Sequence, residues 1–244
     1  MTLLARWRTP APAKRNDVAI YQERASAWWN LEDPSFTPLR AMARPRLAFL
    51  ERAGVTLAGA RVVDVGAGGG FVSVELAARG AHVVAVDLAP AALRAAHAES
   101  ARRGLTLRVA AGAADALPLA SAAFDLVVCT DVLVHVPDQQ RALDELARVT
   151  APGGCLYVAS MNRTALARFV LITLGEDILG VVVRGTHDPA TFIRPAELSA
   201  DLARRGFAMV AIDGVGPVGL NASGLVFGRS PIQAVMYHAL FRRS

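Results

Sequence analysis

The sequence predicts an α/β fold: an open, doubly wound sheet of seven strands, mostly parallel with an antiparallel last strand, under a helical N-terminal cover. Three observations carry this. From Arg61 onward short β-branched runs alternate with helical patterns, as βα units feeding a parallel sheet do. The first run, RVVDV, opens directly into a glycine-rich turn, VVDVGAGGG at 62–70. The 244 residues are 53% hydrophobic and 19% charged, enough to bury a real core within one domain.

Taken in order, residues 1–24 read as a flexible basic leader, because their apolar start is too short for a signal-peptide core and is cut by Arg6, Arg8 and two prolines. Residues 25–58 read as the helical cover and 59–161 as the central unit. Within it RVVDV (61–65), bounded by Gly59 and Gly66, is apolar enough to be buried on both faces. FVSVELAARG follows as a helix stopped by Gly80. HVVAVD, residues 105–110, FDLVVCT and CLYVAS supply four more strands, with PGG (152–154) as the turn before the fifth. Helices fall at 90–103 and 139–149, where Leu143, Leu146 and Ala147 keep helical spacing. Right-handed crossovers wind such units into one sheet.

Residues 162–194 read as an apolar insert or lid. Its densest part, 165–183, is broken by Arg168, Glu176 and Asp177 and falls short of the ~18 uncharged residues a spanning helix needs. Residues 195–244 begin with a helix, Pro195 and Glu197 standing where a first turn wants them. RGFAMVAIDG and PIQAVMYHALF then read as an antiparallel strand pair. Two cysteines, Cys129 and Cys155, exclude a disulfide scaffold and point to a reducing cytoplasm. The net charge of +5 favours anionic partners, but the basic residues are scattered and only 6% of residues are aromatic, which argues against nucleic acid.

In an open α/β sheet ligands lie outside the carboxyl ends of the strands, and the first turn must let backbone approach them closely. Gly66, Gly68, Gly69 and Gly70 carry no Cβ to obstruct this. Asp87 closes the second strand, about 20 residues on, where an acid accepts hydrogen bonds from ribose hydroxyls. A dinucleotide fingerprint wants a third glycine where Phe71 stands, and no Gly-Lys-Ser/Thr follows to make a P-loop.

The run from Asp64 through Gly66, Gly68 and Gly70, acid-x-G-x-G-x-G, resembles the first motif of the Rossmann-like S-adenosylmethionine-dependent methyltransferases. The resemblance implies that Asp64 and the loop flank the methionine part of that cofactor while Asp87 holds its ribose. AADALPLASAAFDLVVCT extends it. Ala113 stands where relatives often carry aspartate, which leaves Asp115, or no acid, for the adenine amino group; Asp125 reads as structural.

A narrower resemblance is to the 3-demethylubiquinone O-methyltransferases. AWWNLEDPSFTPLRAMARPRL, HVPD, PGG, MNR and GTHDPATFIRPAEL occur in the same order, from about Trp28 to Tyr237. It implies cofactor contacts at Arg46, Gly66, Asp87 and Thr130, the last a methionine in many relatives. Without it Arg46 reads as a solvated helix residue. Trp28 and Trp29 read as core anchors or as walls of a substrate entrance. After the fourth strand relatives carry Glu-x-x-Glu-His, which can hold a divalent ion. Here the run is Asp131, Val132, Leu133, Val134, His135. Valine offers no lone pair, so Asp131 and His135 alone make a thin site for Mg2+.

Methyl transfer from a sulfonium asks mainly for alignment and exclusion of water. A phenol, with a pKa of about 10, becomes a good nucleophile once its proton is removed. His135 is the candidate general base, an unperturbed pKa near about 6.5 suiting the task, with Asp131 to orient it; a histidine here can also simply cap the loop. His187, beside Asp188 in GTHD, is a second candidate. In the insert Leu166, Phe169, Val170, Ile172, Leu174, Ile178, Leu179 and 181–183, flanked by Arg163, Arg168 and Arg184, suit peripheral contact with an anionic membrane, a lid or a dimer surface. The reading is an S-adenosylmethionine-dependent O-methyltransferase acting on a phenolic or catechol acceptor such as a prenylated quinone precursor. Alternatives are a metal-independent natural-product methyltransferase, a non-catalytic cofactor-binding protein and an NAD-dependent oxidoreductase, the last disfavoured by Phe71.

Overall fold

The computed structural model describes residues 19–180, 182–221 and 224–244; residues 1–18 of the expected leader and Val181 of the insert lie outside them. The cover consists of a short helix α1 (Ala19–Glu23), single helical turns at Ala25–Ala27 and Pro34–Phe36, and α2 (Thr37–Arg52). The alternating unit follows: β1 (Arg61–Val65), α3 (Phe71–Ala78), β2 (His82–Asp87), α4 (Pro90–Arg102), β3 (Leu107–Ala111), β4 (Phe124–Thr130), α5 (Gln139–Val149) and β5 (Thr150–Met161). Asp138 caps α5, its carboxylate accepting from Arg141 N–H at 3.0 Å. Such caps satisfy donors that have no partner within the helix.

Beyond β5, Thr164 caps a short α6 (Ala165–Ala167), which widens into a π-helix at Arg168–Ile178. No helix among the described residues is long and apolar enough to cross a membrane. α7 (Pro195–Ala203) starts at the proline the sequence marked, Glu197 accepting from Arg194 N–H. Three strands close the chain: β6 (Phe207–Asn221), β7 (Gly224–Ser230) and β8 (Met236–Arg243).

The sheet order is β3-β2-β1-β4-β5-β8-β6-β7. The first five strands are parallel, and β8 runs antiparallel between β5 and β6. The expected seven strands are therefore eight. The extra one, β7, pairs with the far half of β6. Its surroundings, VGPVGLNASG at 215–224, look like loop, but at a sheet edge proline and glycine are tolerated because one side of the strand needs no partner. A second correction concerns PGG, which sits inside β5. The pairing jumps from Phe124↔Thr150 to Leu126↔Cys155, and Gly153, at φ +73°, turns the extra residues out as a bulge.

Strand side chains alternate between two cores. Val62, Leu126 and Val128 pack with Leu47, Val74 and Leu93 from α2, α3 and α4. Val63, Val127 and Cys129 pack with Leu143, Leu146 and Leu198 from α5 and α7. Burial on both faces is why these strands read as unbroken apolar runs. Strand order reverses beside β1, between β2 and β4, so a crevice opens at the carboxyl ends of these strands.

Candidate functional site

The chain leaves β1 through three glycines, Gly66, Gly68 and Gly70, at φ +70°, +53° and +81°, the left-handed region that glycine enters without steric penalty. Gly66 and Ala67 donate their N–H groups to Val86 O at 2.8 and 3.0 Å, and Gly68 N–H donates to Asp87 Oδ2 at 2.7 Å. The turn is thus tied to the end of β2. The cover presses on it from the other side. A Cβ on Gly68 would stand 2.5 Å from Trp28 Cη2, and one on Gly69 2.3 Å from the same indole. Trp28 is only 3% exposed and stacks on Phe36 at 3.9 Å, while Trp29 Nε1 donates to Gly69 O at 2.8 Å. Trp28 is core anchor and cavity wall together; Trp29 ties the turn to the cover.

A cavity of about 680 Å³ opens beside this turn. Arg46, Asp64, Gly66, Gly68, Asp87, Asp115 and Thr130, all expected to bind cofactor, line it, as do Asp131 and His135. Gly70 does not. A Cβ there would come 2.6 Å from Ala96 Cβ, so its lack of side chain serves the close packing of α3 on α4.

Among the described lining residues stand four carboxylates, Asp64, Asp87, Asp115 and Asp131, against one guanidinium, Arg46. Such a field favours a cationic ligand and repels a diphosphate. Asp64 is buried and accepts from Ser73 Oγ at 2.5 Å. Burial pushes its carboxyl up to about 6, with Ser73 and Arg46 pulling the other way. Asp87 is likewise raised by burial, opposed by the N–H groups of Ala89 and Gly68. Its two oxygens face different donors, Oδ2 to Gly68 and Oδ1 to Ala89 at 2.8 Å, and each oxygen keeps acceptor capacity for a ribose hydroxyl.

Asp131 follows β4 with φ +60°. Its Oδ2 accepts from Arg46 Nη2 in a buried ion pair. That contact engages one of the two carboxylate oxygens of Asp131. His135 ends the helical turn Leu133–His135, its ring edge-on to Tyr21 at 6.4 Å and 5.4 Å from the ring of His187. Burial, helped by the neighbouring His187, pushes it down to about 3 rather than leaving it near the ordinary value of about 6.5.

Beside Asp188, which caps Pro189–Thr191 by accepting from Ala190 N–H at 2.9 Å, stands His187. Its partner is Glu176, whose Oε1 meets His187 Nδ1 at 2.8 Å and accepts from His187 N–H at 3.0 Å, while Oε2 accepts from Gly185 N–H at 2.7 Å. In the sequence Glu176 only interrupts an apolar run. That was the available signal, since a carboxylate buried among apolar residues must be given donors. Tyr21, which lines the cavity and stacks on Trp28 at 6.0 Å, gave none.

A family profile described as a methyltransferase domain matches residues 63–158. Over 204 residues the chain is 40% identical to the ubiquinone biosynthesis O-methyltransferase of Xylella fastidiosa (strain 9a5c), covering 83% of this chain and 82% of that one. The protein of the same name from Chromobacterium violaceum is 32% identical over 229 residues, 93% of this chain and 97% of the relative. The chain belongs to the ubiquinone biosynthesis O-methyltransferase family. The solved magnesium protoporphyrin IX methyltransferase of Synechocystis PCC 6803, with SAH bound, superposes with a TM-score of 0.67 at 19% identity over 93% of this chain and 97% of that one, which shows the common fold.

This member of the ubiquinone biosynthesis O-methyltransferase family is an S-adenosylmethionine-dependent methyltransferase. The cavity suits that cofactor: its carboxylates match a ligand carrying a positively charged sulfur and an ammonium. The donors suit Mg2+ poorly. The Asp131 carboxylate is held by Arg46, and Val134 is an apolar residue 1% exposed. Among the described residues no group of three or more histidines, cysteines and carboxylates could hold a metal. Magnesium asks for several oxygen ligands.

Proposed function

We propose that this methyltransferase transfers its methyl group to a phenolic hydroxyl of a catechol-type quinone precursor carrying a prenyl tail, with His135 as the proton acceptor and no bound divalent ion. The carrying observation is one cavity with an acid-rich cofactor end, at Asp64, Asp87 and Asp131, and an imidazole, His135, on its wall. S-adenosylmethionine supplies there an activated methyl group on a charged sulfur. Asp87 holds the ribose and Asp115 faces the adenine end. Trp28 and Phe71, both nearly buried, keep water from the loop, so that charges in the site act at low dielectric.

His135, depressed to about 3, is neutral at physiological pH. It is a weak base toward a free phenol. As the new carbon–oxygen bond forms, however, the hydroxyl becomes far more acidic, and a neutral imidazole in place then takes its proton. The role is to orient the acceptor oxygen and receive the proton during transfer. A site without a metal-ligand set among the described residues equally suits a metal-independent natural-product methyltransferase, and the acceptor's tail separates the two readings.

The insert favours the tailed acceptor. Leu166, Phe169, Ile178 and Leu179 are 47%, 51%, 60% and 51% exposed, an apolar face on the helix whose other side carries Glu176. Arg163 and Arg184 are engaged by Glu197 and Asp177, and Arg168 stands exposed on the same helix. Such a face suits shallow docking on an anionic bilayer.

The test is a methyl-transfer assay on catechols with and without prenyl tails, free and in anionic vesicles, in magnesium and in chelator, with vesicle sedimentation alongside. Expected are faster turnover of tailed catechols in vesicles, equal rates in chelator, and co-sedimentation at low salt. Transfer to no phenol would sink the reading, and loss of activity in chelator would sink its metal-free form. Protein that stays in the supernatant would refute membrane docking.

A further inference from the structure

We infer that Glu176 and His187 are positioning residues for methyl transfer: the buried carboxylate fixes the His187 imidazole, and that ring in turn sets the His135 ring to receive the acceptor's proton. The inference rests on His135 as the proton acceptor and deepens that reading, because it gives the insert a part in the reaction besides its exposed apolar face.

Glu176 is buried with Ile172 and Gly175 on one side of the helix Arg168–Ile178; its side chain is 0% exposed and that of His187 9%. Taking a carboxylate out of water is costly unless donors surround it. Backbone N–H groups supply two, His187 to Oε1 at 3.0 Å and Gly185 to Oε2 at 2.7 Å, and these alone would pin the turn at 185–187 to the helix. The ring adds another. His187 Nδ1 stands 2.8 Å from the same Oε1, and a carboxylate oxygen that already accepts from a backbone N–H meets this nitrogen as an acceptor too, so Nδ1 carries the hydrogen. That bond does nothing for the course of the backbone. It fixes the plane and the tautomer of an imidazole.

The ring so fixed lies against His135. Their centroids are 5.4 Å apart at a tilt of 31°, and Phe192 meets His187 edge-on at 6.5 Å. The segments that carry the two histidines are also stapled together. Thr191 Oγ1 donates to Val134 O at 2.6 Å, and Gln139 Nε2 donates to Leu133 O and Thr191 O at 3.1 and 2.8 Å. Of the three described residues Glu176, His187 and His135, the last alone lines the cavity, so the pair acts through the ring that meets the acceptor. A base oriented by a third group is a recurring way to make a proton acceptor effective. In the transfer the acceptor's O–H bond breaks towards His135 as its oxygen bonds the methyl carbon in place of the sulfur, so one positive charge leaves the sulfur and one arrives on the imidazole. A ring already held in place takes that proton without reorganising, and a misplacement of about 1 Å can cost about a hundredfold in rate.

The test assays His187→Phe, Glu176→Gln, His135→Ala and the double variant His135→Ala/His187→Phe on a catechol carrying a prenyl tail at saturating S-adenosylmethionine, with calorimetric titration of S-adenosylhomocysteine and thermal melts alongside. Phenylalanine keeps an aromatic ring against His135 and both backbone donors to Glu176, so it removes the ring nitrogens alone. The expected result is a kcat lowered about tenfold or more in both single variants at 176 and 187, with the KM for the catechol and the S-adenosylhomocysteine affinity within about twofold of wild type. Once His135 is absent, the change at 187 costs less than about twofold, since losses through a shared partner do not add. Wild-type kcat in His187→Phe overturns the inference, even where Glu176→Gln is inactive or unfolded, because the carboxylate would then serve only the turn. An equal loss from His187→Phe with and without His135 overturns it too, and both results leave His135 as the proton acceptor. Unchanged turnover in His135→Ala would instead refute that reading, and the inference with it.

Discussion

Asp87→Ala raises the dissociation constant of S-adenosylhomocysteine by about a hundredfold or more. The carboxylate accepts from Gly68 N–H at 2.7 Å and Ala89 N–H at 2.8 Å, so it fixes the glycine turn and, in the proposed reading, also holds the ribose. Hydrogen bonds to a charged group contribute about 1.5–3 kcal/mol each, and two ribose hydroxyls lost together amount to at least about 3 kcal/mol, or roughly two decades in affinity. Asp87→Asn keeps one acceptor oxygen and is expected to fall between. Calorimetry gives the constants and a thermal melt controls for folding. Wild-type affinity in the alanine variant would remove Asp87 from the site.

His135→Ala is expected to lower kcat by about a hundredfold or more, within the range of a positioned proton acceptor, while S-adenosylhomocysteine affinity stays within about twofold of wild type, because the proposed role of the imidazole is toward the acceptor and not the cofactor. The pH dependence separates this base from an ordinary histidine. With its pKa lowered to about 3, the imidazole is already neutral well below physiological pH, so kcat at saturating cofactor shows no inflection near about 6.5. An inflection there that vanishes in the alanine variant would contradict the burial of His135 behind Tyr21 and His187. The same depression acts on stability. Between about 6.5 and 3 the unfolded chain binds a proton that the folded chain refuses, so the contribution of neutral His135 is present above that window and is lost as pH falls through it.

Much of this architecture was legible because local and global requirements agree. RVVDV, HVVAVD and FDLVVCT are buried on both faces, and nothing else those residues could do competes with a central parallel strand; the structure starts and ends these strands where the sequence does. Helices with a stated start or stop, at Pro195 and Gly80, were equally plain. The edge hairpin was not, because Gly216, Pro217 and Gly219 satisfy the rules of a loop and of an edge strand alike. In the site, the turn and Asp87 announced themselves through backbone chemistry. Glycines with positive φ and a strand-terminal acid have few other uses. The partners of Asp131 and His187 stayed hidden for a different reason: Arg46 lies 85 residues from Asp131 and Glu176 lies 11 from His187, and only the folded cover and the helical insert bring them together.

The central claim is that the crevice beside β1 receives a nucleoside bearing a charged sulfur. Its most direct test is calorimetric titration of the wild-type protein with S-adenosylhomocysteine and, separately, with NADH. One nucleoside bound per chain, with no heat from NADH, is the predicted result, because a diphosphate would face the acids at 64, 87, 115 and 131. Binding of NADH by a protein silent toward S-adenosylhomocysteine would contradict it.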